Sequence, residues 1–570
     1  MPEGPPARCA TSDDCDRSHG EVCEEGVCWG NPPAGPFAAV VSPPSERGNE
    51  LISRELLELL IPDHGWIGDV ALEEPVTYGA RLSALCPALT DCSNLAVGAT
   101  ITLTRPSLFP GGPGFRTEIE VAPGTDQFKL TVPRTRPSDT AYTVSLVPAG
   151  RNDPSQGPNS AAALLPPKRF ELRVPDTTTG KVIEVGAEKL AILEGTLTMA
   201  SQGLKDYRVV ALGRWEERAS LTEVSTVAYT SSTGRFTLRL SADVVGAVEI
   251  VAKPFGDSSG LPTLHIANVP NSGATGRALA MPPLGNRIEV AIPVTRINGS
   301  GALGPVEGAR VIVTGGLGNA QSPSFTTFST EATTGSDGVA RLKLFDNAAF
   351  ADTYRLSIVP PAGSESGVVF EEPFDLAKVG QPRPPLPART ALRGMVRDAG
   401  GAPLAGVGVT VRPSLRFQWS LPDGPQAFLT SIPAGTTVTP DTGEYVVWVD
   451  PLLASTFGTY DLFFEPRQAA DTKIAAPALL RTDYELPRDS ATVVTVPDIV
   501  LPEPAFIHGR ITTPGGVPVE GAELKVFRVV GDASLCTQVS NAPASCPIPA
   551  TVLGRAPSDN NGTVRFTLPR

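Results

Sequence analysis

The residues able to do chemistry in this 570-residue chain are few and scattered. Eight cysteines fall into three local groups: Cys9, Cys15, Cys23 and Cys28; Cys86 and Cys92; Cys536 and Cys546. An even count in local clusters reads as disulfides made in an oxidising compartment. Zinc is the rival at the first group, because "CEEGVC" has a workable ligand spacing. The other two pairs have no companion ligands nearby. Connectivity among the first four cysteines is open. "GDSSG" (256–260) fits a G-x-S-x-G nucleophile pattern with Ser258 as the attacking hydroxyl. That elbow needs a strand before it and a helix after it. "AVEIVAKP" supplies a strand, but Pro262 opposes the helix, so a polar loop is expected.

His19, His64, His265 and His508 show no HxxxH or HxH spacing. Metal binding and acid–base work need clustered partners, so neither role is expected of them. The turn Asp559-Asn560-Asn561-Gly562 offers too few oxygens for calcium, which takes six or more, and reads as a turn. "DDCDRSHGE" (13–21) has alternating carboxylates, but a disulfide at Cys15 competes with that geometry. "GGPGF" lacks the Lys-Ser/Thr of a phosphate loop. No cofactor and no metal is expected. Of the tryptophans, Trp448 sits in an alternating strand and reads as core. Trp419, in "LRFQWSLP", falls in a long insertion and is the candidate ligand contact, since an exposed aromatic face can stack on a sugar.

Composition narrows the elements that hold these residues. Gly 56 and Pro 58 are too many for a helical protein, while 41% hydrophobic residues suffice for cores. Many short strands joined by frequent turns are expected. The net charge of −13, with no basic run, argues against a nucleic-acid partner. No stretch approaches the roughly 20 apolar residues of a membrane helix. The start, "MPEGPPARCATSDDC", lacks the apolar core of a signal peptide. An export signal upstream of Met1 is therefore expected.

Three markers recur about every hundred residues. The first is a glycine-led strand, a Pro/Gly turn and an alternating strand. It is seen in "GSGALGPVEGARVIV", "GMVRDAGGAPLAGVGVTV" and "GRITTPGGVPVEGAELKV", with looser copies at "AVGATITL" and "GLKDYRVVAL". Gly79, Gly195, Gly299, Gly394 and Gly509 lead the five copies. The trios Ala99, Ile101, Leu103; Ala309, Val311, Val313; Val407, Val409, Val411; and Ala522, Leu524, Val526 agree in phase. Period two places each trio on one sheet face. The second marker is an Asp/Asn/Thr–Gly turn entering a strand, as in "GSDGVARLKL" and "PDTGEYVVWV". The third closes four copies with a Pro-terminated strand: "AYTVSLVP", "AVEIVAKP", "TYRLSIVPP" and "TYDLFFEP". The fifth copy reaches Arg570 without it, so it is expected to lack an edge strand or to be cut short.

The three-marker pattern resembles the carboxypeptidase regulatory-like domain, a relative of transthyretin-like and collagen-adhesin B-type modules. That resemblance implies seven- or eight-stranded antiparallel sandwiches serving display, adhesion or carbohydrate contact. Some adhesin modules carry a Lys–Asn/Asp isopeptide bond. Here Arg397 and Arg510 stand nearest the lysine position, and arginine cannot form that amide. "CATSDDCDRSHGEVCEEGVC" resembles short cysteine-rich segments near the start of exported bacterial surface lipoproteins, which implies a lipid anchor outside this chain.

The expected fold is all-β: tandem Ig-like or prealbumin-like antiparallel β-sandwiches after a disulfide-rich segment. The expected division is a cysteine module at 1–35, a linker at 36–65 and sandwiches at 66–175, 176–286, 287–385, 386–500 and 501–570. In the linker, Ile52, Leu56, Leu59 and Leu60 predict a short helix capped by Asn49 and ended by Pro62. The expected function is non-enzymatic: an exported cell-surface stalk or adhesive array, with a surface polysaccharide or protein as partner. Two alternatives stand beside it, a carbohydrate-binding array using Trp419 and a secreted serine hydrolase using Ser258.

Overall fold

The computed structural model describes residues 9–14, 22–24, 27–29, 37–48, 50–59, 66–86, 92, 95–109, 112–125, 127–155, 159–199, 201–217, 221–271, 277–280, 286–317, 326–346, 353–361, 364–379, 383–414, 435–450, 459–466, 476–485, 493–502, 504–529 and 550–569. Module one shows the plan. Its strands, first to seventh, are Pro75–Leu85, Ala99–Arg105, Phe115–Val121, Phe128–Pro133, Tyr142–Pro148, Lys168–Leu172 and Thr178–Gly186. The second lies between the third and fifth, and the sixth flanks the fifth. The first lies between the fourth and the seventh, which runs parallel to it. Four strands thus face three. The trio Ala99, Ile101 and Leu103 lies fully buried between the layers, as alternation requires.

Each of the other in-phase trios is also buried, at 1% exposure or less. The turn glycines of the second marker are conformationally required. Gly443 and Gly562 have φ of +71° and +74°, and a Cβ there would come within 2.6 Å of the Val396 carbonyl and 2.5 Å of the Ile511 carbonyl. In modules two and four the glycine within the first strand makes room for an aromatic opposite. Gly394 pairs with Tyr445, whose hydroxyl a Cβ would meet at 2.5 Å. Module three solves the same contact in reverse, with Ile292 opposite the small Ala340. Gly299, read as the leading glycine there, instead lies in the hairpin of Thr295–Ile297 and Leu303–Pro305, with open space around it.

The N-terminal region differs from expectation. No helix spans 49–62 among the described residues; Arg54–Leu59 is a strand. Leu56 and Leu59 both face the core while Leu57 is 60% exposed, and a register shift in the pairing with Phe37–Ser42 accommodates that three-residue spacing within a strand. The physical reason is a tertiary partner. Phe37–Ser42 pairs with Arg54–Leu59 and offers a ladder that overrides local preference.

Those two strands, with Trp66–Ala71, are the fifth, sixth and seventh strands of module five. Its first four are Pro504–Thr512, Glu523–Val529, Ala550–Pro557 and Thr563–Pro569. Phe37–Ser42 pairs antiparallel with Glu523–Val529, and Trp66–Ala71 runs parallel to Pro504–Thr512. The edge strand missing from the fifth copy therefore comes from the segment read as a linker. Its third marker is "FAAVVSP": Pro43 follows Ser42, which faces Glu523, and so stands opposite Ala522. Pro148 and Pro466 stand likewise opposite Ala99 and Val407. Pro148, Pro254, Pro360 and Pro466 recur every 106 residues, and Pro43 precedes Pro148 by 105. The chain thus closes on itself through a module built from both of its ends.

Candidate functional site

Most chemistry-bearing side chains in the described residues are committed to architecture. A buried hydroxyl clasps the second strand in four modules. Thr439 Oγ1 accepts from the Val407 amide at 2.9 Å and donates to the Leu404 carbonyl at 2.7 Å. Ser558 Oγ does the same for Ala522 and Val519 at 2.9 and 2.6 Å. Thr334 does so for Ala309 and Val306 at 2.8 and 2.6 Å, and Thr230 accepts from the Tyr207 amide at 3.0 Å. Each stands four residues before its turn glycine: Thr230 and Gly234, Thr334 and Gly338, Thr439 and Gly443, Ser558 and Gly562. That Ser/Thr-x-x-x-Gly spacing is legible in the sequence and marks the clasp in each of these modules. Tyrosines staple the crossing from fourth to fifth strand. Tyr142 donates to the Pro133 carbonyl at 2.6 Å, Tyr460 to the Asp450 carbonyl at 2.7 Å, and Tyr354 to the Phe345 carbonyl. Burial pushes the Tyr460 phenol up, so it remains a neutral donor.

The remaining candidates sort as follows. Cys86 and Cys92 form a disulfide after the first strand of module one. Cys9 is disulfide-bonded, and Cys23 faces Cys28 in register across a short hairpin. Cys15, Cys536 and Cys546 lie outside the described residues, as do Trp419, His19 and His64. Among the described residues no group of three or more His, Cys, Asp or Glu is placed to hold a metal. Ser258 is buried in a single turn between two strands, and its hydroxyl donates to the Lys205 carbonyl at 2.9 Å. A nucleophilic elbow requires an exposed hydroxyl before a helix, so this serine braces a loop. His265 Nδ1 lies 2.6 Å from Glu249 on the adjacent strand. Asp559 Oδ1 accepts from the Asn561 and Thr563 amides at 2.9 and 2.8 Å, which ties that oxygen to the turn's own backbone. Arg397 pairs with Asp498, and Arg510 pairs with Asp69 on the seventh strand, as ion pairs at the positions considered for an isopeptide bond.

Neighbouring modules are joined by direct contacts. Arg151 of module one is 5% exposed and enters module two, donating to Glu223 at 2.9 Å and to the Ser225 carbonyl at 2.8 Å. Burial alone would raise the Glu223 carboxyl, but the Arg151 and Arg208 guanidiniums outweigh it and hold it below the ordinary range. Modules two and three share a continuous sheet through Thr263–Pro270 and Thr326–Thr333. Asp450 of module four accepts from the Val368 amide at 2.6 Å. Arg555 and Glu465 join modules five and four at 3.2 Å.

A further interaction surface is the seam inside module five, between strands from the two ends of the sequence. Residues 37–72 contribute Ala39, Val41, Leu51, Leu59, Val70 and Leu72 to its core, against Ile507, Ile511, Leu524, Val526, Phe566 and Leu568. Trp66 packs on His508 with ring centroids 5.2 Å apart, and Arg510 forks onto Asp69. Glu55, on the sixth strand, accepts from the Ser107 hydroxyl at 2.9 Å and from the Leu108 and Gly114 amides at 2.7 and 3.0 Å. All three donors belong to module one. Phe109 of module one also meets Phe527 at 5.5 Å.

No protein-family model matches the chain, and none of the curated proteins matches it. Among solved structures it is similar to the Bacillus anthracis TIE protein, at 12% identity over 75% of this chain and 74% of that one, with a TM-score of 0.16. It is similar to a streptococcal ancillary pilin at 10% identity, over 55% and 99%, with a TM-score of 0.18. Two B repeat units of the collagen-binding protein of Staphylococcus aureus match at 9% identity, over 74% and 99%, with a TM-score of 0.12. By its own strand order the chain is all-β, a tandem array of antiparallel β-sandwich modules.

Proposed function

We propose that this is a non-enzymatic, exported cell-surface protein whose modules present binding loops to a protein ligand. One observation carries the reading: a shared sandwich frame whose connections change in length from module to module. The second and third strands are separated by 318–325 in module three but by 414–434 in module four and 530–549 in module five. A rigid frame with loops of changing length suits recognition, because loops can vary without disturbing the core. The Cys86–Cys92 disulfide fits an oxidising compartment. The hydrogen bonds of the Ser258 hydroxyl and the Asp559 carboxylate to backbone groups weigh against the serine-hydrolase and calcium readings of those residues.

Two measurements test the reading. A membrane-impermeant amine label added to intact producing cells should mark the chain; labelling only after lysis would sink the surface assignment. Replacing 414–434 by the sequence of 318–325 should lower adhesion of those cells to protein-coated surfaces several-fold, with unfolding unchanged. Unaltered adhesion would remove that loop from the proposal.

A further inference from the structure

We propose that residues 37–71 of one copy complete residues 504–569 of another, so that the protein assembles head to tail by strand exchange. The partner is a second copy of this chain, and the argument stands on strand topology, independent of the adhesive reading.

The repeat in the sequence is out of phase with the module in space. One 106-residue period ends with four strands, and the next period opens with the three strands that complete them, beginning at the strand closed by Pro148, Pro254, Pro360 or Pro466. Modules one to four are each completed by the period that follows. Module five is completed by the first period, whose marker proline is Pro43. The completing strands need only the right sequence in the right register. Those of a second copy satisfy the four C-terminal strands with the same contacts, including Val41 against Leu524 and Asp69 against Arg510. Exchange of identical elements changes no contact in the module and relieves one demand, that four intervening modules curve back to bring residue 71 to residue 504.

The donor is also held ready. Glu55 binds Ser107, Leu108 and Gly114 of its own module one. Arg54 donates to the Ala71 carbonyl at 3.1 Å within the same segment. The three strands therefore leave the acceptor attached to a folded body. An acceptor without them exposes a row of buried apolar side chains, Ile507, Leu524 and Phe566 among them. Such a surface seeks a strand. The contact is heterologous, so exchange that does not close into a ring propagates as a filament.

Two full-length variants test this. Val41→Asp spoils the donor and leaves the acceptor; Leu524→Asp spoils the acceptor and leaves the donor. Each alone should sediment as a monomer. Mixed in equal amounts, they should give a 1:1 complex of twice the monomer's mass, and a mixture that sediments as two monomers overturns the proposal. Should either variant prove insoluble, a Val40→Cys, Lys525→Cys chain gives a second measurement, since these residues are cross-strand partners. Oxidised, then denatured without reductant, it should show a ladder of multimers that lengthens with protein concentration. Monomer bands alone at every concentration would overturn the proposal.

Discussion

Modules four and five are built to one plan and differ in connectivity. Both carry the buried trio, the hydroxyl clasp at Thr439 or Ser558, the positive-φ turn at Gly443 or Gly562 and the strand-ending proline at Pro466 or Pro43. In module four the fourth and fifth strands are joined by residues 450–458, and Tyr460 staples that crossing to the Asp450 carbonyl. In module five no such connection exists. The residue six places before the marker proline, Tyr460 in one, is Phe37 in the other, which has no hydroxyl to give. Layer packing therefore needs only the strands, while in modules one, three and four the tyrosine is spent on the crossing. Closing module five through some 430 residues instead of about ten costs roughly 3 kcal/mol more if the chain between is treated as flexible, at about 0.6 kcal/mol per doubling. Module five should be the first to open.

The largest effect tests the seam itself. A chain beginning at Glu73 lacks six buried residues of module five's core, Ala39, Val41, Leu51, Leu59, Val70 and Leu72, and three of its seven strands. Amides of 504–569 should then lose protection against hydrogen exchange entirely, a loss on the order of 5 kcal/mol or more. Those of Thr390–Arg397 in module four should keep theirs. Retained protection in 504–569 would mean that the four strands are stable alone and that the seam is a surface contact.

Next come the clasps, where the two modules should behave alike. Thr439→Val keeps the shape but leaves the Val407 amide and Leu404 carbonyl unpaired in a buried site. An unsatisfied buried group costs about 1–3 kcal/mol. Ser558→Ala should cost a similar amount in module five. Unequal losses in thermal unfolding would show that the clasp depends on connectivity, against the plan described here.

The staple should behave differently in the two. Tyr460→Phe removes one buried hydrogen bond and should destabilise module four by about 0.5–1.5 kcal/mol. Phe37→Tyr adds a hydroxyl with no crossing carbonyl opposite it and should move module five by less than about 0.5 kcal/mol. A stabilising Phe37→Tyr would mean that an acceptor stands there and that the staple does not depend on the crossing.

The sequence made the two layers legible, because period-two burial of Val407, Val409 and Val411 needs no partner to be read. Its markers did not reveal who completes whom. "FAAVVSP" has Phe37 where three of the other four copies have a tyrosine and "AVEIVAKP" has Val248, so the strand lacks the marker's commonest residue. "ISRELLELL" read as a helix because Ile52, Leu56 and Leu59 fit a helical stripe. Only the ladder offered by Phe37–Ser42, itself seated on Glu523–Val529, makes it a strand. Such pairing is non-local and leaves no mark on a window of ten residues. The chemistry was legible mainly by subtraction. Ser258 and Asp559 matched motifs, and only the Lys205 carbonyl and the Thr563 amide show what occupies them.

The smallest difference is one of acid sensitivity at the turn between third and fourth strands. Module five opens this turn with Asp559, module four with Pro440, which has nothing to protonate. The Thr563 amide, with that of Asn561, holds the Asp559 carboxyl below its ordinary value. A carboxyl depressed in the folded state contributes stability above its unfolded pKa, near 3.9, and that contribution disappears as pH falls through the lower folded value. On acidification the amide resonances of Asn561 and Thr563 should shift together with a midpoint below about 3.9. The Gly443 amide, bonded to the Pro440 carbonyl at 2.8 Å, should stay put. Asp559→Asn keeps an acceptor oxygen and should abolish the titration while leaving the turn closed. A midpoint at or above the ordinary aspartate value would show that the carboxylate is not what holds those amides, and the two turns would then differ in sequence alone.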